Sequence, residues 1–271
     1  MNFKIKPETA FSVFRRNYFT FEFRNRNHMS RFGNQIKFIR LVFIKLVLTL
    51  FLMSILWVLV YKWFMPPATL LMLQRRAEPA QVSKNISEKI RYDFVELEEV
   101  AYHVPLAFIA SEDQLFTHHN GFDYKAIHTA FQKNQKGRRV IGGSTISQQV
   151  AKNVFLWHGR SYIRKVVEAY FTVLIELLWS KHRIMEVYIN IAEMGDKVFG
   201  IEQASQKYFR KPAKDLNAYE AAAIAAVLPN PIKFSVTNPS AYIVRKRANI
   251  RRHMRNLGGK VFIKPLVDNE I

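Results

Sequence analysis

Sixteen consecutive residues, Leu46 to Tyr61, carry no charge. At about 1.5 Å per residue a helix of that length covers only ~24 Å, short of the ~30 Å hydrocarbon core of a bilayer. Extended to Leu41–Met65 the stretch becomes long enough, with Lys45 and Lys62 snorkelling to the two interfaces on their long stems. Trp57, Tyr61 and Trp63 gather toward one end, where interfacial aromatics belong. A buried core helix is the alternative, but such a helix rarely lacks a polar face altogether. A cleaved signal peptide fits poorly, because the apolar run is long and shows no small-residue cleavage site. The sequence therefore predicts one uncleaved anchor. It divides the chain into a basic tail over residues 1–40, a transmembrane helix over 41–65 and one domain over 66–271.

Charge sets the direction of the anchor. Met1 to Lys45 carries ten Lys/Arg against Glu8 and Glu22, part of a formal net charge of +20 and a pI near 10.1. Such a balance calls for an anionic neighbour: nucleic acid, an acidic membrane face or a phosphorylated substrate. The interleaved aromatics of FSVFRRNYFTFEFRNRN would suit an RNA-binding arm. A polybasic tail beside a membrane helix explains them with less, and no nucleic-acid partner is expected. Nothing before Met29 reads as structural, which leaves Met29 open as an alternative start. The cationic excess places the tail in the cytoplasm and the C-terminal domain outside it. The chain has no cysteine, so disulfides are excluded and a zinc site is disfavoured.

Pro66-Pro67 marks the exit from the membrane, and helical periodicity dominates beyond it. Glu96 to Val104 precedes Pro105, which suits the first turn of a new helix, PLAFIASED. Ser161 to Ser180 is apolar over more than one face and is expected to be the central buried helix. KHRIMEVYINIAEMG, GIEQASQKYF and LNAYEAAAIAAVL also read as helices, with Asn190 and Gly195 as stops and Pro229-Asn230-Pro231 as a firm one. Gln132 to Arg139, polar and basic, reads as a mobile loop. The fold class is mainly α, without internal repeats.

Five motifs carry chemistry in combination, although each is weak alone. ED-xx-F-xx-H-x-G is Glu112, Asp113, Phe116, His119 and Gly121. GGSTISQQ-xx-KN runs from Gly142 to Asn153. RK-xx-E is Arg164, Lys165 and Glu168, where a simple i,i+4 ion pair would place the cation first, the weaker orientation. K-xx-I-x-E-x-Y-x-N is Lys181, Ile184, Glu186, Tyr188 and Asn190, and A-xx-LPNP runs from Ala225 to Pro231. Together, in this order and over roughly Ala68 to Arg255, they resemble the peptidoglycan glycosyltransferases of the monofunctional biosynthetic type. Met185 and Ile189 replace more usual leucines, neither at a chemical position.

That resemblance implies a lysozyme-like glycosyltransferase domain behind one transmembrane helix, set in the cell inner membrane with its catalytic domain in the periplasm. It implies polymerisation of lipid II: the 4-hydroxyl of one unit attacks the sugar C1 of the growing chain, and polyprenyl pyrophosphate leaves. By motif position Glu112 is the base, with Phe116 and the apolar PLAFIA segment available to desolvate it, and Glu168 is the second essential glutamate. Lys152 and Arg160 stand at the pyrophosphate-contacting positions with Arg164 and Lys165 nearby. Ser144, Thr145, Gln148 and Gln149 offer neutral hydrogen bonds to sugar or phosphate. His119, Asp123, Glu186, Tyr188 and Asn190 read as mainly structural. No metal is required, and any ion would be Mg²⁺ at the pyrophosphate. The expected partners are lipid II, the growing glycan chain and inner-membrane lipids, with cell-wall synthesis or division proteins as further candidates. A lytic enzyme of the same fold and a membrane-tethered scaffold are the alternatives. The first leaves the second glutamate and the cations unexplained, and the second leaves all five motifs idle. No Ser-x-x-Lys occurs, so a transpeptidase nucleophile motif is missing.

Overall fold

The computed structural model describes residues 8–77, 92–136, 143–157, 159 and 161–271. Two compact units divide after Trp57, inside one long helix, α1 (Glu8–Trp63). Its Lys37–Trp63 part is long and apolar enough to cross a membrane. Large side chains there, Phe38, Phe43, Leu50 and Leu56 among them, stand exposed, as a helix solvated by lipid requires. The basic tail differs from its sequence expectation: the backbone is already helical from Glu8.

The second unit, residues 58–271, is built from helices α2 (Leu70–Ala77), α3 (His103–Glu112), α4 (Tyr124–Lys136), α5 (Ile146–Phe155), α6 (Tyr162–Leu178) and α7 (Lys181–Ile191). A small antiparallel hairpin follows, β1 (Glu193–Gly195) with β2 (Val198–Phe199), then α8 (Ile201–Phe209), α9 (Ala218–Val227), α10 (Ala241–Asn256) and α11 (Lys260–Val267). Three helices form the interior. α3 buries every residue from Val104 to Ala110, α9 every residue from Ala221 to Val227, and α7 every residue from Ile184 to Ile191. A helix apolar all round must lie inside its neighbours, and the alanines of α9 let α3 and α10 approach it from two sides.

The expectation that Ser161–Ser180 forms the central buried helix is not met. α6 buries Glu168, Phe171, Thr172 and Ile175, a single stripe at i, i+3, i+4 and i+7, against α5. Tyr162, Ile163, Val166 and Leu177 are 95, 74, 70 and 75% exposed. Composition could not reveal this, because the buried stripe contains the polar residues and the exposed faces are apolar. Two smaller differences follow. Residues 132–136 of the expected loop belong to α4, while 137–139 lie outside the described residues. Between Glu96 and α3 the helical part is Leu97–Glu99, a 3₁₀ turn, and α3 begins two residues ahead of Pro105.

The last turn of α1 is tied into this unit. Trp179 donates from Nε1 to the Val58 carbonyl at 2.9 Å, and Arg183 donates from Nη2 to the Tyr61 carbonyl at 3.0 Å. Carbonyls at a helix C-terminus lack intrahelical partners, and Arg183 meets one of them with positive charge at the negative end of the helix dipole.

Candidate active site

The site is assembled where α3 ends and α5 and α6 pass each other. Glu112 is the last residue of α3 and is half-buried. Its Oε1 accepts from Ser111 Oγ at 3.0 Å and its Oε2 from Gln149 Nε2 at 3.3 Å. Gln149 Oε1 in turn accepts from the Tyr188 hydroxyl at 3.2 Å. Burial holds that phenol well above its ordinary pKa, with the charges of Glu112 and Asp113 acting in the same direction, so Tyr188 stays a neutral donor.

Asp113 turns the other way. It is buried, receives His119 Nε2 at 2.9 Å and accepts from the Ile146 amide at 3.0 Å, at the N-terminus of α5. His119 Nδ1 accepts from the Gly121 amide at 3.1 Å, which leaves its proton on Nε2 for Asp113. Gly121 adopts φ +86°, and a Cβ there would come within 2.7 Å of Thr172 Cγ2. Only glycine fits, and its carbonyl accepts from Thr145 Oγ1 at 2.7 Å. Asp123 accepts from the Ala126 amide at 2.8 Å and starts α4.

The GGST run separates into two pairs. Thr145 and Gln148 form a capping box at the head of α5 and are buried, so their side chains are spent on the helix and, from Thr145, on the Gly121 carbonyl. Ser144 is exposed and accepts from Lys165 Nζ at 3.3 Å, while Gln149 faces Glu112. Gly142 and Arg160 lie outside the described residues.

Lys152 is three residues from Gln149, on the same face of α5. No described carboxylate lies within ion-pair distance of its ammonium. Burial lowers its pKa, the Glu168 charge pulls it back up, and Arg164 and Lys165 push it down. Glu168 is only 2% exposed. Its Oε2 receives Arg164 Nη1 at 2.7 Å and its Oε1 receives Lys165 Nζ. The pair is therefore buried rather than a surface decoration. Arg164 keeps its Nε–H buried without a partner, a donor that a ligand oxygen would satisfy.

Some members were not singled out from the sequence. Glu176 joins Ser147 Oγ and, at 2.8 Å, Lys181 Nζ, which also donates to the His119 carbonyl at 2.6 Å and lies 4.7 Å over the Phe116 ring. This knot fixes the Asp113–Gly121 turn to α5, α6 and α7 at once. A signal for it existed, since Glu168, Thr172 and Glu176 recur every four residues along one face of α6. Lys246 of α10 is the other omission: burial lowers its pKa and the charge of Glu112 raises it. Glu186 pairs with Arg183, and Asn190 clamps the Val95 amide and carbonyl at 3.0 and 2.9 Å, so both serve the fold as expected.

Residues 79–255 match the family model described as Transglycosylase. A biosynthetic peptidoglycan transglycosylase of Pasteurella multocida (strain Pm70) is 52% identical over 213 residues, 79% of this chain and 85% of that protein. One from Pseudomonas syringae pv. syringae (strain B728a) is 47% identical over 79% of this chain and 89% of its own. One from Mannheimia succiniciproducens (strain MBEL55E) is 54% identical over 63% of this chain and 70% of its own.

Proposed function

The chain belongs to the transglycosylase family, and from that premise we propose that it polymerises lipid II into glycan strands for cell-wall synthesis, with Glu112 as general base. The observation that carries the assignment is the pairing of Glu112 with Gln149, on the same face of α5 as an unpaired, desolvated Lys152. An alcohol nucleophile needs a proton acceptor and a leaving pyrophosphate needs positive charge aimed at it. Glu112 takes the proton of the attacking 4-hydroxyl, the sugar C1–oxygen bond to pyrophosphate breaks, and the departing charge is met by Lys152 and the free edge of Arg164. Arg160 is assigned to the same task from its motif position. Glu168 holds Arg164 and Lys165 in place and sustains the charge of Lys152. Ser144 and Gln149 remain to bind substrate, whereas Thr145 and Gln148 act through α5.

The site does not fit a protein-held metal. Both oxygens of Glu168 are taken by cations, and the described residues contain no group of three potential ligands. Any Mg²⁺ would rest on the substrate's phosphate oxygens. Among the described residues one helix, Lys37–Trp63, is long and apolar enough to cross a membrane, and it serves as the membrane anchor. We place it in the inner membrane with the tail cytoplasmic and the catalytic unit periplasmic, in contact with membrane lipids, the growing glycan chain and other cell-wall synthesis or division proteins.

The test is to incubate the full chain in detergent with lipid II and resolve the products by size. Wild type is expected to yield polymer, and Glu112→Gln to lose at least ~10²-fold in turnover while keeping its melting temperature. A folded Glu112→Gln variant that turns over normally would remove Glu112 as the base.

A further inference from the structure

The last turn of α1, from Val58 onward, belongs to the compact catalytic unit. Val58 is fully buried, and Tyr61 packs against the same core with its carbonyl held by Arg183. The Tyr61 ring lies 6.1 Å from that of Phe155, the last residue of α5. Phe155 in turn stacks on Phe171 of α6, with centroids 4.6 Å and planes 2° apart, and lies 6.2 Å from Trp179 at the C-cap of α6. Such separations are those of rings in direct packing. Trp179 closes the circuit through its bond to the Val58 carbonyl. Phe155, Phe171 and Trp179 are all buried, so the end of α1, the tail of α5 and α6 share one aromatic cluster. α5 is thus held at its two ends by different means. Polar contacts fix its head, from Asp113 to the Ile146 amide and from Ser147 to Glu176. Its tail carries Phe155, three residues beyond Lys152 and so beside it on the helix surface. Phe171 stands in the same relation to Glu168, the carboxylate whose charge acts on Lys152. A close-packed interior passes a displacement on instead of absorbing it. A misplacement of about 1 Å at a reacting group can cost ~10²-fold in rate.

We propose that the last turn of α1 is a working part of the site: Tyr61, through Phe155, sets where the tail of α5 holds Lys152. Tyr61 is then a positioning residue, and the helix that anchors the enzyme also shapes its catalytic cleft. The consequence for rate rests on the lipid II polymerase reading; the consequence for packing does not.

Full-length Tyr61→Ala in detergent, where tethering to a bilayer has no part, is expected to lose about tenfold in kcat, with Tyr61→Phe within about twofold of wild type. Acylation of amines, read lysine by lysine by mass spectrometry, tests the packing without the reaction. Lys152 should be acylated at least about fivefold faster in Tyr61→Ala, because a locally loosened tail lets its amine reach water. Lys181, half-buried in the knot at the head of α5, is the internal control and should react at its wild-type rate. Equal acceleration at both lysines would show general loosening and overturn the proposal. An unchanged rate at Lys152 overturns it too, as does an unchanged kcat where wild type makes polymer. If Tyr61→Ala fails to fold, Tyr61→Leu, which keeps apolar bulk and removes the ring, decides by the same split between Lys152 and Lys181. A wild-type chain that makes no polymer would instead overturn the polymerase reading, and the acylation rates would still decide the packing.

Discussion

Replacing Glu168 by glutamine separates a buried electrostatic role from a surface ion pair. An exposed i,i+4 pair would be worth about 0.3–0.5 kcal/mol. Glu168, however, is 2% exposed, and Arg164 keeps only 12% of its side chain in solvent. Removing one partner of a buried pair costs roughly 3–5 kcal/mol, because the other charge stays desolvated. Lys165, with 47% of its side chain exposed, can turn to water, so the lower end, about 3 kcal/mol, is the expected loss. For a unit of this size about 2–4 °C accompanies each kcal/mol, giving a fall of about 6–12 °C in Tm. Activity should fall by a further route. Glu168 raises the pKa of Lys152 against the burial that lowers it, so glutamine lets it drop further. Lys152 is charged below its folded pKa and neutral above it. The alkaline limb of the rate profile should thus move to lower pH in Glu168→Gln. Arg164→Ala is the control: it leaves Glu168 paired with Lys165 and should melt closer to wild type. The assays are thermal melting of the full chain in detergent and lipid II turnover across pH. A Tm within about 1 °C of wild type together with an unmoved alkaline limb would refute the reasoning.

Lys152→Arg should regain part of the turnover lost in Lys152→Ala and extend activity to higher pH, since a guanidinium does not deprotonate in this range; the pH–rate profile measures both. Gly121→Ala should lose roughly 2–3 kcal/mol from positive-φ strain and the clash with Thr172, with Gly121→Ala/Thr172→Ala recovering only the clash; denaturant melts separate the two. A reporter fused after Ile271 should be active outside the cytoplasm, and activity only inside it would reverse the membrane orientation.

The sequence made some parts of the fold plain for physical reasons. α9 ends just ahead of Pro229-Asn230-Pro231, the firm stop in the sequence, and α7 ends at Ile191, one residue past the Asn190 stop, whereas Glu193–Gly195 of the expected helix is strand β1. α6 was misread because its apolar residues outnumber what one buried stripe needs, and nothing local tells which side meets α5. The site was legible as a set of motifs in order, but the direction in which each side chain points was not. One distinction was within reach: Thr145-x-x-Gln148 ahead of an apolar run is the signature of a capping box, so those two belong to the helix and Ser144 and Gln149 to the cleft. The burial of Glu168 was not within reach. It depends on how α5, the preceding helix, packs over the stripe, which no local pattern within α6 records.

The placement of Asp113 gives a physical reason for the cations of the proposed site. A Gly-rich run leading into a helix is a ready anion site, because its free amides and dipole both favour negative charge. Here that position is occupied from within: Asp113 accepts the Ile146 amide, and Thr145 with Gln148 closes the rest of the cap. The positive end of α5 thus anchors the Glu112 turn and is unavailable to pyrophosphate. Lys152 lies in the last turn of the same helix, where the dipole favours a cation. One short helix therefore holds a protein carboxylate at its head and carries near its tail the ammonium proposed to meet the substrate, with Gln149 between them bonded to Glu112, the proposed base. Shifting α5 by one residue would break all three relations together, so the Ser147–Glu176–Lys181 knot that locks its register supports the proposed site from outside it.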